Sequence, residues 1–171
     1  GRFASGAALI DGLQMLESRA VGKQLFLLFE QEQWLRIHLG IYGAWDFFGR
    51  ISPITDEAEV SGSMGAPRLR RSIRIAETEH AMNVNREEFP PEPVGAVRVR
   101  LHTDGSVADL RGPTICEVID PVQLAAIIDR LGPDPATDRT LDAENRFVNS
   151  LRTKPKSIGQ LLMDQQVVSG I

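Results

Sequence analysis

The sequence predicts an α+β chain, with antiparallel sheet in its first two thirds and helices after about residue 120. Three observations carry this expectation. Residues 22–43, GKQLFLLFEQEQWLRIHLGIYG, hold a short apolar run followed by a strict alternation of period two. A second alternation, Val97, Val99 and Leu101 against Arg98, Arg100 and His102, ends in the turn Thr103-Asp104-Gly105. From Asp120 onward the apolar residues recur at three and four, as at Leu124, Ile127, Ile128 and Leu131.

Taken in order, residues 4–21 read as a small-residue turn and then a strand over Leu13–Val21. Gln24–Phe29 is too short for a helix and is bounded by the polar run Glu30–Gln33, so it reads as a buried strand. In the strand that follows, Leu35, Ile37, Leu39 and Ile41 point one way. Trp34, Arg36, His38 and Tyr42 point the other, giving one core face and one polar, aromatic and cationic surface. Ala44–Phe48 continues as a short aromatic strand. From Arg50 to Pro93 no period survives, and a long, mobile surface insertion is expected. Its cluster Arg68-Leu69-Arg70-Arg71-Ser72-Ile73-Arg74 reads as a solvated charge run, offset by Glu77, Glu79, Glu87, Glu88 and Glu92.

Ser106–Arg111 and Thr114–Ile119 complete the strands, with Arg98, Arg100 and His102 as a cationic stripe on the outer face. Asp120-Pro121 is an N-cap acid before a proline at the first helical position. Gly132-Pro133-Asp134-Pro135 stops that helix and reads as an interdomain hinge. A second helix spans about Asp142–Arg152, with Phe147, Val148 and Leu151 inward. Ser157-Ile158-Gly159-Gln160 forms a capping box that starts a third helix, Ile158 to about Gln165.

Bulk composition narrows the classes. At 171 residues, 42% apolar and 25% charged, the chain has the make-up of an ordinary globular protein of one or two domains. No run approaches the length a bilayer requires, and a cytoplasmic protein without membrane partners is expected. The chain lacks an initiator Met and starts and ends abruptly, which reads as a fragment. The single cysteine, Cys116, forms no internal disulfide and no four-ligand zinc site. It reads as a small buried apolar residue. The net charge of −4 argues weakly against general nucleic-acid binding, yet charge is uneven. Between Asn145 and Met163 the ionic residues are Arg146, Arg152, Lys154 and Lys156, with no acid among them, which suggests a local basic face.

Five strings in order carry a resemblance: Gly22-Lys23-Gln24-Leu25-Phe26, His38-Leu39-Gly40-Ile41-Tyr42-Gly43, Asp109-Leu110-Arg111-Gly112-Pro113-Thr114, Arg130-Leu131-Gly132-Pro133-Asp134-Pro135, and Ile158-Gly159-Gln160-Leu161-Leu162-Met163-Asp164-Gln165. Together they resemble the formamidopyrimidine-DNA glycosylase and endonuclease VIII family, nearer the endonuclease VIII branch. The resemblance covers nearly the whole chain outside residues 50–93. It implies a β-sandwich domain over residues 1–131 and part of a helix-two-turns-helix DNA-binding domain over residues 132–171.

The activity it implies is DNA base-excision repair by a bifunctional glycosylase and abasic-site lyase acting on oxidised bases. Such an enzyme flips the damaged base and attacks its sugar with an N-terminal proline amine, whose pKa near 8 leaves a useful unprotonated fraction at neutral pH. The partner implied is duplex DNA with a damaged or abasic site, bound by a monomer. No cofactor is expected in these residues, and the family's zinc belongs to a terminal finger outside them. The sequence departs from the family in lacking the N-terminal Pro-Glu, the Gly-Asn after residue 171 and the finger, so the chain alone is expected to be inactive.

By resemblance, Lys23 reaches the phosphate beside the lesion and assists elimination; the alternative is a solubilising edge-strand lysine. Gly40, Ile41 and Tyr42 match the loop that enters the space left by the flipped base, although Gly40 stands where the family has a polar side chain. The alternative is a hairpin with Ile41 and Tyr42 in the core. Arg130 matches a phosphate-contacting arginine, and as a helix C-terminal residue it also complements the dipole. Lys154 and Lys156 precede a helix N-terminus and could meet phosphate, or serve as ordinary surface lysines. His38 is assigned no role. Two rival readings remain: a DNA-binding relative that has lost its nucleophile, and a β-sandwich interaction domain unrelated to nucleic acid.

Overall fold

A computed structural model describes residues 2–49, 62–65 and 89–170. Among them are four helices and eight strands in the order α1 (Ala4–Ile10), β1 (Met15–Val21), β2 (Gln24–Phe29), β3 (Gln33–His38), β4 (Ala44–Gly49), β5 (Gly62–Gly65), β6 (Val97–His102), β7 (Ser106–Arg111), β8 (Ile115–Ile119), α2 (Pro121–Asp129), α3 (Leu141–Thr153) and α4 (Ile158–Met163). The α+β class expected from the sequence is borne out, with antiparallel pairing throughout the registered strands. The chain divides into two compact units, residues 1–7 with 39–116, and residues 8–38 with 117–171.

In the second unit the strands run in the order β1-β2-β3-β8. The β2–β3 hairpin forms because its apolar residues are paired in register, Leu25 with Ile37 and Leu27 with Leu35. The β2–β3 hairpin carries buried residues on both faces, while β1 is exposed over residues 15–20. Leu27, Phe29, Leu35 and Ile37 are buried on one side, whereas Phe26 packs with Ile119 and Leu124 on the other, joined by Trp34, Ile127 and Ile128. The polar surface expected on β3 is therefore corrected: α2 lays its apolar stripe against that face, so Trp34, Arg36 and His38 are half-buried. Asp120 caps α2, as the sequence predicts, and completes a capping box with Gln123; Ser157 forms the capping box expected for α4.

The segment after α2 is fixed by the last residues of the chain. Gly132 N–H donates to the Gln165 carbonyl at 2.8 Å, Ser169 N–H to Pro133 at 3.0 Å, and the Ser169 hydroxyl to the Gly132 carbonyl at 2.9 Å. A Cβ on Gly132 would strike the Val167 backbone, which is why glycine stands there. An open, mainly apolar cavity of about 350 Å³ lies among Pro133, Pro135, Thr140, Ala143, Phe147 and Val168. None of the candidate site residues named from the sequence lines it.

The first unit has the strand order β5-β4-β7-β6. Two ion pairs knit it. Arg100 grips Asp109 with Nε and Nη2 at 2.7 Å each and donates Nη1 to the Pro91 carbonyl at 2.8 Å. Arg111 pairs with Asp46 on the adjacent strand at 2.5 Å. The cationic stripe expected from Arg98, Arg100 and His102 is corrected accordingly, since the Arg100 charge is neutralised by a carboxylate only 2% exposed.

Other expectations shift in detail. Residues 4–10 are helical rather than a turn, and β1 starts at Met15 rather than Leu13. A seven-residue helix of small side chains shows too little periodicity to register. β5 lies within the supposed structureless insertion and pairs with β4. Four residues, Gly-Ser-Met-Gly, carry no alternation of their own. The remaining residues of 50–88, including the Arg68–Arg74 cluster and Glu77, Glu79, Glu87 and Glu88, lie outside the described residues. α4 ends at Met163 because Asp164 leaves the helical conformation. Cys116 is half-buried rather than buried. No described helix is long and apolar enough to cross a membrane.

Candidate DNA-binding residues

Strand β3 ends at His38, and the chain then turns tightly through Gly40, Ile41 and Tyr42 into β4. Gly43 N–H closes the turn on the Leu39 carbonyl at 3.0 Å. The alternation read from the sequence stops at Ile37: Ile41 is 78% exposed and Tyr42 71% exposed, so neither packs in the core of the structure. Gly40 holds φ +66, a conformation that costs a side chain strain. Its open side is occupied by the Thr114 side chain, and Gly112 (φ +56) lets the second turn approach the Tyr42 carbonyl. The Arg111–Asp46 pair anchors the root of that second turn.

In the other unit, Lys23 is exposed in the β1–β2 turn, beside Gly22 at φ +61. Gly22 faces Gln165 and Ser169, so this turn sits on the end of the chain's last segment. Arg36 donates to Gln24 Oε1 at 2.6 Å and to Glu117 Oε1 at 2.8 Å. His38 Nδ1 is buried and has no hydrogen-bond partner among the described residues. Burial, with the positive charges of Arg36 and Lys23, holds its imidazole below the ordinary histidine value.

This sets a sign for acid sensitivity. As pH falls below about 6.5, an unfolded chain takes up a proton at this histidine that the folded chain resists. The folded state loses stability through that window, from the ordinary histidine value down to the lowered one. Thermal melts between pH 7 and pH 5 are expected to show a smaller acid-induced fall in His38→Asn than in the parent. Equal falls in the two proteins would contradict this account of His38.

Arg130, the C-cap of α2, is exposed and forms no ion pair among the described residues. Lys154 and Lys156 are not free. Both approach Asp164 Oδ2, at 3.8 Å and 3.4 Å. The Asp164 carboxyl is held below the usual range chiefly by the Gln166 backbone N–H, and also by the two lysines. The local basic face expected before α4 is thus partly neutralised by the acid immediately beyond it. The site residues named from the sequence fall in different units, Gly40, Ile41 and Tyr42 in the first and Lys23, Arg130, Lys154 and Lys156 in the second. Thr114, Asp109 and Asp46 were given no role in the sequence reading. The string Asp109–Thr114 was the signal available for two of them.

An α+β chain of two antiparallel four-stranded sheets and capped helices, with an exposed apolar turn and an exposed lysine turn, defines the class. Solved structures share that fold: two complexes of Lactococcus lactis Fpg, one an inhibited enzyme with N7-benzyl-Fapy-dG DNA and one with abasic-site DNA, match 99% of this chain at TM-scores of 0.59 and 0.58. Identity to both is 16%, and the match spans 50% and 49% of those chains. In sequence, the chain is 32% identical over 172 aligned residues to Endonuclease 8 1 of Mycobacterium bovis and of Mycobacterium tuberculosis. All of this chain is covered, and it spans about half (50%) of those relatives' length. No protein-family model matches it. The sequence comparison bears out the resemblance to the formamidopyrimidine-DNA glycosylase and endonuclease VIII family, and the solved structures share the fold.

Proposed function

We propose that the protein containing this chain is a base-excision repair enzyme, a DNA glycosylase with abasic-site lyase activity on oxidised bases. The observation that carries the reading is the exposed Ile41–Tyr42 turn in a chain related along its whole length to endonuclease 8. Two large apolar groups on a tight, solvent-facing turn are costly to leave in water without a use. They suit insertion into a base stack from which one nucleotide has been extruded. Lys23 has the reach and exposure to meet the phosphate flanking the lesion, and Arg130, with no ion pair among the described residues, is a second cation for the same backbone. Lys154 and Lys156 would contribute only by exchanging Asp164 for a phosphate.

In this reading the amine of an N-terminal proline in the longer protein attacks the sugar carbon that holds the damaged base. The base leaves, a Schiff base forms, and elimination breaks the strand. The enzyme would act as a monomer in the cytoplasm, with duplex DNA as its partner. Zinc would belong to the longer protein's finger and not to the residues described.

Fluorescence anisotropy of the full-length protein on duplexes with and without one abasic site tests the reading. Tighter binding to the abasic duplex is expected, by about tenfold or more, because flipping is least costly where pairing is already lost. Both affinities should fall steeply as salt rises. Equal affinity for the two duplexes would overturn the proposal.

A further inference from the structure

The β1–β2 turn that carries Lys23 is seated on the last segment of the chain. Gly22 holds φ +61, and a Cβ built on it would stand 2.6 Å from Gln165 Oε1 and 3.5 Å from Ser169 Cβ. The same two residues clamp the segment after α2: the Gln165 carbonyl accepts from Gly132 N–H, and Ser169 bonds both Gly132 and Pro133. All of these residues lie in one compact unit. Ser169 is buried, and its hydroxyl and N–H are both committed to that clamp. The Gln165 side chain is poorly served by comparison. Its Oε1 accepts one long hydrogen bond, from Gly170 N–H at 3.4 Å, and its Nε2 is buried with no partner among the described residues.

We propose that Gln165 is a positioning residue for Lys23: its side chain seats the Gly22–Lys23 turn and so fixes the point from which the lysine ammonium reaches DNA. This rests on the reading under Proposed function. Stability gives no reason for glutamine at position 165. A buried amide nitrogen without an acceptor costs the fold, and a methionine of similar length would carry no such donor. What the amide does supply is a seat, because its oxygen covers the open side of Gly22 and holds the Gly170 N–H. Lysine carries its charge on a long flexible stem. Its ammonium meets one phosphate at low entropic cost only if the turn at its base is already fixed. The pairing of Val21 with Gln24 sets the two ends of that turn, and Gln165 supports its tip. Glycine at position 22 follows as a requirement, since a side chain there would strike the amide and would be strained at φ +61.

The test uses the full-length protein, its Gln165→Met and Gln165→Asn variants, and each of these combined with Lys23→Ala. Binding to a duplex with one tetrahydrofuran abasic site, which elimination cannot cleave, is titrated at several salt concentrations. Gln165→Met keeps the reach of the side chain and removes the amide, whereas Gln165→Asn keeps the amide and withdraws it from Gly22. At least one of them is expected to lose about three- to tenfold in affinity when Lys23 is present, and nothing further in the Lys23→Ala background. Its salt slope should move toward that of Lys23→Ala. The melting temperature of Gln165→Met should stay within about 3 °C of the parent, since an unsatisfied donor is removed along with one weak bond. Parent-like binding by both variants would overturn the inference. So would a loss that persists at full size in the Lys23→Ala background. With a lowered melt, that loss would make Gln165 part of the fold, and with an unchanged melt it would make Gln165 a DNA contact of its own. Full affinity in Lys23→Ala alone would also overturn the inference while leaving the functional reading in place. If the parent fails to prefer abasic over intact duplex, the functional reading falls first and the inference with it.

Discussion

Asp109→Ala is expected to destabilise the protein by about 3–5 kcal/mol, the range found when one partner of a buried ion pair is removed. The carboxylate is 2% exposed and accepts two hydrogen bonds from Arg100 at 2.7 Å. Its loss leaves the guanidinium half-buried with one remaining acceptor among the described residues, the Pro91 carbonyl. In a protein of this size each kcal/mol moves the melting temperature by roughly 3 °C, so a fall on the order of 10 °C should appear in thermal melts. Replacing both partners with apolar residues, Arg100→Met with Asp109→Leu, should cost less than Asp109→Ala alone, because no charge is then stranded. A loss below about 1 kcal/mol in Asp109→Ala would mean that water reaches Arg100 and that the pair does not hold the β6–β7 hairpin.

Lys23→Ala in the full-length protein is expected to weaken binding to an abasic-site duplex by about ten- to a hundredfold, as for loss of a hydrogen bond to a charged group. Its salt dependence should change as well. One phosphate contact fewer lowers the slope of log affinity against log salt by about one. Lys23 is exposed in a turn and forms no ion pair among the described residues, so the melting temperature should barely move. An edge-strand lysine kept for solubility would give the opposite pattern, unchanged affinity and unchanged slope. Titrations at several salt concentrations separate the two.

Much of the fold was legible because hydrophobic periodicity reports burial, and burial is what orders these strands. Leu35 and Ile37 declare their face by spacing alone, and the capping boxes at Asp120 and Ser157 mark helix starts by local chemistry. What the pattern could not reveal was which neighbour covers a face. Trp34, Arg36 and His38 look like surface until α2 packs beside Phe26. The same reason hid the Arg100–Asp109 pair, in which two charged residues nine apart become one neutral unit through strand register. The site was only partly legible. Ile41 continues the alternation on paper, yet positive φ at Gly40 ends the strand's geometry and turns Ile41 into solvent. Thr114 could not have been found from sequence, because its meeting with Gly40 is made by two turns about seventy residues apart. Lys154 and Lys156 look like a basic face in the sequence because the acid that pairs with them, Asp164, lies beyond the α4 helix and meets them only through the fold.

Borohydride trapping of the full-length protein on a duplex with one abasic site asks whether the proposed Schiff base forms. Reduction should convert the imine into a stable covalent protein–DNA adduct, visible as a shifted band that depends on both borohydride and the abasic site. No adduct under conditions where the protein binds that duplex would contradict the lyase and leave only a DNA-binding relative.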